Sequence, residues 1–163
     1  MPHLESVINK FESKYKIETL SNLFKFGGLS VTPLGDANIG LLDREDLIVL
    51  FEHYGLILFR GFDLNPDNLL RFIDQFTLRY SNDKLNRVKR FNQDKLRSVD
   101  VGHNAHVLHS EASYSPSWPE VIWFYCDTAP SSGGETTLCD GIQLWRSLRA
   151  EAKLFFLKQP LTI

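Results

Sequence analysis

The chain has 163 residues, with 18 Lys and Arg against 20 Asp and Glu, and 43% hydrophobic and 12% aromatic residues. That is too apolar for a disordered chain and too mixed for a fibrous one, and the length suits one domain burying about two-thirds of its unfolded surface. A net charge of −2 argues against a dedicated nucleic-acid binder, no apolar run nears the roughly 20 residues of a membrane helix, and Glu5, Lys10, Glu12 and Lys14 interrupt any signal-peptide core. The expectation is a soluble, cytoplasmic protein with neither nucleic acid nor membrane as partner.

Leu4, Val7, Ile8, Phe11 and Tyr15 fall at helical spacing and predict an amphipathic helix over about residues 4–16. Gly27 and Gly28 break the chain, so residues 1–28 read as a helix and linker before a core portion over residues 29–163. A short strand is predicted over residues 29–34. Asp43 is placed to cap a helix carrying Leu47, Leu50, Phe51 and Tyr54, closed by Gly55. Residues 56–59 form an apolar run ending in Arg60-Gly61 and predict a buried strand. Asn65-Pro66 is a cap followed by a first-turn proline, predicting a helix with Leu69, Ile73 and Phe76 inward.

Residues 80–100 show no clear period and predict a long loop. Between residues 79 and 97 lie seven basic residues (Arg79, Lys84, Arg87, Lys89, Arg90, Lys95, Arg97) and two acidic ones, so the segment carries +5 and the remainder −7. A solvated loop is the plain reading; a lid that attracts anions is the sharper one. Beyond Val101 the character turns β-rich, with strands predicted at Val107-Leu108-His109, residues 121–126 and residues 136–139. Asp140 then caps a helix with Ile142, Trp145 and Leu148 on one face. A β-rich section with open strand edges needs something to cover it.

Cys126 and Cys139 make no disulfide framework and read as small buried hydrophobes. Three histidines, His103, His106 and His109, share one stretch that runs on through Ser110 to Glu111. On a strand, His109 and Glu111 point to the same face, where an imidazole and a carboxylate can occupy two adjacent positions on a divalent metal. Alone, His-x-Glu also describes an ordinary surface pair, and His103 and His106 read as loop histidines. In Gly133-Gly134-Glu135-Thr136 the glycines allow a turn and close backbone approach by a small ligand, and Thr136 presents a hydroxyl. A plain hairpin turn is the other reading.

Taken together, residues 55–62, His109-Ser110-Glu111, Pro119 before an apolar segment, Gly133-Gly134-Glu135-Thr136 and Asp140-Gly141 resemble, in order and spacing, one family. It is the Fe(II)/2-oxoglutarate-dependent oxygenases of the taurine dioxygenase and clavaminate synthase-like superfamily, and Glu rather than Asp at 111 is closer to the clavaminate synthase side. The resemblance implies an α+β fold with a double-stranded β-helix (jelly-roll) core and flanking helices. It implies His109 and Glu111 as iron ligands and catalytic residues, and Thr136 as a contact for the carboxylate of the co-substrate 2-oxoglutarate. The implied reaction hydroxylates a small amino acid or related metabolite, releasing succinate and CO2.

The family also uses a later ligand histidine and an arginine beyond it. Here no histidine follows His109 and the last arginine is Arg149, so only His109, Glu111 and Thr136 carry over. The sequence therefore reads as the N-terminal portion of a jelly-roll oxygenase, completed by a homo-oligomer partner or a complementing C-terminal half. The alternative from another class is a catalytically incomplete jelly-roll fragment serving as a binding or subunit module. A zinc hydrolase would need His106 as a third ligand, which strand alternation places on the opposite face.

Overall fold

A computed structural model describes residues 2–20, 27–81, 88–91, 93–99, 107–112 and 118–159. The chain divides into two compact units, Met1–Tyr80 with Val88–Ser98, and Ser81–Arg87 with Val99–Ile163. It combines five α-helices and two small sheets among the described residues.

In the first unit, helix α1 (Pro2–Glu12) buries Val7 and Phe11, two residues of the predicted apolar stripe. The helix stops earlier than the spacing predicted, because Ser13 Oγ donates to the Lys10 carbonyl and Lys14 N–H to that of Phe11. Tyr15 instead opens strand β1 (Tyr15–Thr19), absent from the sequence reading. The i, i+4 pair Phe11 and Tyr15 still meets, with ring centroids 5.2 Å apart, across the helix–strand corner. The spacing captured the contact and missed the backbone change, since one turn of helix and a tight corner deliver the same neighbour.

Strand β2 (Leu29–Pro33) is central: it pairs antiparallel with β1 and parallel with β3 (Ile57–Phe59). The parallel pairing requires a crossover, supplied by a 3-10 turn (Ile39–Leu41) and helix α2 (Arg44–Tyr54). Asp43 accepts from the Asp46 N–H at 3.0 Å, and Gly55 closes α2 in the left-handed region at φ 70°, as its sequence neighbours predicted. Lys10 of α1 pairs with Asp46, the buried carboxylate of α2, and lies 3.7 Å from Asp43. Leu29 and Val31 are fully buried, whereas β3, predicted as buried, is only half-buried.

Helix α3 (Pro66–Asp74) completes this unit's core with Leu69, Leu70, Phe72 and Ile73. Asn65 accepts from the N–H groups of Asp67 and Asn68, both at 3.0 Å, while Asn68 accepts from the Asn65 N–H at 2.8 Å. Reciprocal capping of this kind satisfies donors that have no partner inside the helix. Asn65→Ala is therefore expected to cost about 1 kcal/mol, read as a lower denaturant midpoint at unchanged slope. Rings run from Tyr15 through Phe62 and Phe59 to Phe72 and Phe76, with successive centroids 5.2–6.1 Å apart.

The predicted loop over residues 80–100 instead contains a hairpin, β4 (Lys89–Arg90) and β5 (Gln93–Arg97), closed by a Ser98 N–H to Val88 carbonyl bond at 2.9 Å. Its turn puts Phe91, not a glycine, at φ 55°. Charged strands without apolar alternation and a turn without glycine leave no periodic signal.

In the second unit, Asp140 caps helix α4 (Gly141–Ser147) as predicted, accepting from Ile142 and Gln143 N–H, and helix α5 (Ala150–Lys158) follows. The three strands predicted after residue 106 are not formed: residues 107–110, 121–126 and 136–139 lie outside any described ladder. Every buried apolar residue among those described lies between Val7 and Ile73. Val107, Ile122, Phe124 and Leu138 are exposed. A strand exists only with a neighbour that takes its N–H and C=O groups, and the described residues supply none here.

Candidate functional site

His109 and Glu111 lie in the second unit, on a segment outside any helix or strand that turns at 111–112, where Ala112 holds φ 52°. The side chains converge, with His109 Nε2 4.0 Å from Glu111 Oε2. The sequence placed them together by strand alternation; in the structure a turn does it. His109 Nδ1 sits 2.8 Å from the Val107 carbonyl oxygen. A carbonyl oxygen only accepts, so Nδ1 carries the proton in this bond, and in the neutral ring Nε2 keeps its lone pair toward Glu111. Histidines that ligate metals are commonly oriented through such a second-nitrogen bond.

Two donors about 2.1 Å from a metal at a right angle stand about 3 Å apart. The 4.0 Å separation is about 1 Å wider than that spacing. The pair thus fits two adjacent positions on a divalent ion. No group of three His, Cys, Asp or Glu able to hold a metal occurs among the described residues. His103 and His106 lie outside them.

Thr136 is exposed, and the structure gives it no hydrogen bond to His109 or Glu111. The turn before it is built as the glycines suggested. Gly133 and Gly134 hold φ 69° and 75°, and a Cβ on Gly134 would stand 2.9 Å from Pro130 Cγ. Cys126 and Cys139, expected to be buried, are free and exposed. Residues 107–140 carry Glu111, Glu120, Asp127, Glu135 and Asp140 with no Lys or Arg, an acidic balance opposite to that of residues 79–97.

A second polar cluster, in the first unit, escaped the sequence reading. Tyr80 donates its hydroxyl to Asp74 Oδ1 at 2.6 Å, Lys95 Nζ donates to the same oxygen at 2.7 Å, and Lys95 stands 4.6 Å over the Tyr80 ring. This clasp ties β5 to the end of α3. Its only sequence trace is the helical spacing of Asp67, Arg71 and Asp74; the partners come from 6 and 21 residues away. Lys95, then Tyr80, hold the Asp74 carboxyl below its ordinary range, and burial followed by the Asp74 bond pushes Tyr80 up to about 12. A lowered carboxyl stabilises above its ordinary pKa and loses that effect as pH falls through the lowered value. A raised phenol stabilises below its ordinary pKa of 10 and loses the effect as pH rises toward 12. The clasp is therefore expected to hold across neutral pH and release at both extremes, seen as shifts of the Lys95 and Tyr80 resonances that Asp74→Asn produces at pH 7.

Comparison with protein families matches residues 28–163 to the family described as Taurine catabolism dioxygenase TauD, TfdA family. The chain belongs to this family. No curated protein and no solved structure matched it. Members of the family generally use Fe(II) and 2-oxoglutarate. No helix among the described residues is long and apolar enough to cross a membrane.

Proposed function

We propose that this chain is a non-haem Fe(II)/2-oxoglutarate-dependent oxygenase domain over residues 1–163, with residues 29–163 contributing to a jelly-roll core. Its substrate is a small amino acid or related metabolite, which it hydroxylates with release of succinate and CO2. The observation that carries the reading is the His109–Glu111 pair, with Nδ1 of His109 engaged by the Val107 carbonyl and Nε2 facing the carboxylate, inside a segment matched by a dioxygenase family. His109 offers an imidazole nitrogen and Glu111 a carboxylate oxygen, a donor set suited to Fe(II). Thr136 offers a hydroxyl to a carboxylate of 2-oxoglutarate, and the Gly133-Gly134 turn lets that ligand approach the backbone. When bound, Fe(II) with 2-oxoglutarate would supply the oxidising power, and the chain's own residues would hold and orient them.

A third protein donor is needed to enforce the geometry, and we propose that it comes from a second copy or a complementing C-terminal polypeptide. The absence of buried residues among those described in the second unit supports this, because exposed apolar segments such as residues 121–126 gain by being covered. The same observation favours, as a second reading, a catalytically incomplete jelly-roll module with a binding or subunit role. An anaerobic titration with Fe(II) and then 2-oxoglutarate separates the two. A visible charge-transfer band, whose intensity per chain rises with protein concentration if a second copy completes the site, supports the oxygenase. A chain that gives no band at any concentration, alone or with a supplied C-terminal half, is the module.

The basic segment over residues 79–97 is proposed to draw an anionic substrate toward the enzyme. Double charge reversal, Arg87→Glu with Arg90→Glu, is expected to raise KM about tenfold at low ionic strength, with the difference fading as salt screens it. Steady-state kinetics at two salt concentrations check this; an unchanged KM removes the steering role.

A further inference from the structure

The cleft beside α3 has a chemistry that the oxygenase reading does not use. Asp67, Arg71 and Asp74 lie at i, i+4 and i+7 on one face of the helix, with Leu70 beside them. Together with Lys95 of β5 they line an open cleft of about 430 Å³. Four charges of balanced sign look inert until their partners are assigned. Asp74 Oδ1 already accepts from both Tyr80 and Lys95, and the raised pKa of Tyr80 keeps that hydroxyl a donor at neutral pH. Lys95 is fixed in place by this bond and by the Tyr80 ring, yet an ammonium has three donors and the clasp uses one. The Arg71 side chain makes no ion pair and no hydrogen bond among the described residues, although carboxylates lie one turn away on both sides. The cleft therefore presents an uncommitted guanidinium fork, spare ammonium donors and the side of Leu70.

We propose that this cleft binds a small organic monocarboxylate. The planar fork of Arg71 matches the two oxygens of a carboxylate, Lys95 adds a point charge, and Leu70 meets a short apolar tail. Asp67 and Asp74 on the same lining set the selectivity. A second negative charge on the ligand, as in a dicarboxylate or a phosphate dianion, meets like charge there and is disfavoured. The ligand class is thus a monoanion, distinct from the dicarboxylate that the proposed oxygenase site takes.

The test is a ligand titration of the full, metal-free chain followed by amide and side-chain chemical shifts, using butyrate, succinate and inorganic phosphate as probes at low ionic strength. Butyrate is expected to shift the Arg71 and Lys95 resonances saturably in the millimolar range, with succinate and phosphate at least tenfold weaker. Arg71→Gln is expected to weaken butyrate at least tenfold, and Arg71→Lys to restore only part of the loss, because the charge returns without the fork. Lys158→Gln, at the end of α5, leaves it unchanged. Because Arg71 makes no ion pair among the described residues, its variants are expected to keep the Tyr80 and Lys95 signature of an intact clasp, which shows that the fold persists. Butyrate affinity unaffected by Arg71→Gln, phosphate bound as well as butyrate, or no saturable shift would each overturn the proposal. Since no iron is present, failure here leaves the oxygenase reading untouched.

Discussion

His109→Ala is expected to abolish the Fe(II)/2-oxoglutarate charge-transfer band and with it turnover. The physical reason lies in the small number of donors. His109 and Glu111 are the two candidate donors that the described residues bring together, 4.0 Å apart, and removing His109 leaves the pair with only the Glu111 carboxylate. Losing a residue that merely orients a ligand costs 10–100-fold in metal affinity, so losing the ligand itself should cost at least about 100-fold in Fe(II) affinity. His109→Gln retains a polar side chain without the imidazole nitrogen and should behave like alanine. Isothermal titration with Fe(II) under anaerobic conditions, beside the visible band, reads both. Wild-type affinity and an intact band in His109→Ala would remove His109 from the metal site. Thr136→Ala serves as the contrasting variant: the metal affinity should hold while the concentration of 2-oxoglutarate needed for half the band rises.

The largest expected effect on stability is at Phe72. It is 1% exposed, with its ring 5.7 Å from Phe59 and 5.2 Å from Phe76, centroid to centroid. Phe72→Ala leaves a cavity where β3 meets α3, at a cost of about 3–5 kcal/mol. Against a total stability of roughly 5–15 kcal/mol that is severe, and it should lower the thermal midpoint by about 10 °C. Phe155 provides the comparison within the same chain. Its ring is 58% exposed on α5, and its ring contact is with its neighbour Phe156. Phe155→Ala in the isolated chain should stay within about 0.5 kcal/mol. If a partner covers this unit, the same substitution becomes costly only when the partner is present. Thermal melts of both variants, with and without a complementing polypeptide, make that comparison.

The parts of the fold legible in the sequence are those set by chemistry within three or four residues. Asp43 with Gly55, Asn65 with Pro66, and Asp140 each mark a helix end by satisfying orphan backbone groups locally. The Gly133-Gly134 turn was legible for the same reason, since left-handed backbone is a property of the residue itself. Strands fared differently. The helix predicted over about residues 4–16 runs into the first two residues of β1, the β4–β5 hairpin falls where a loop is predicted, and three predicted strands after residue 106 have no ladder among the described residues.

The candidate site divides along the same line. The ordered set of residues 55–62, His109-Ser110-Glu111, Pro119, Gly133-Gly134-Glu135-Thr136 and Asp140-Gly141 was enough to point to the dioxygenase family that residues 28–163 match. The sequence could not show that the Val107 carbonyl oxygen meets His109 Nδ1, that Cys126 and Cys139 are exposed, or that Tyr80 and Lys95 meet on Asp74 while Arg71 has no ion pair among the described residues. Helix caps and glycine turns were determined by the sequence alone, because their partners are near neighbours along the chain. Strand pairing, the clasp and the side-chain burial were decided only by tertiary structure, because their partners are brought together by the fold, and a strand has no structure until a neighbour takes its hydrogen bonds.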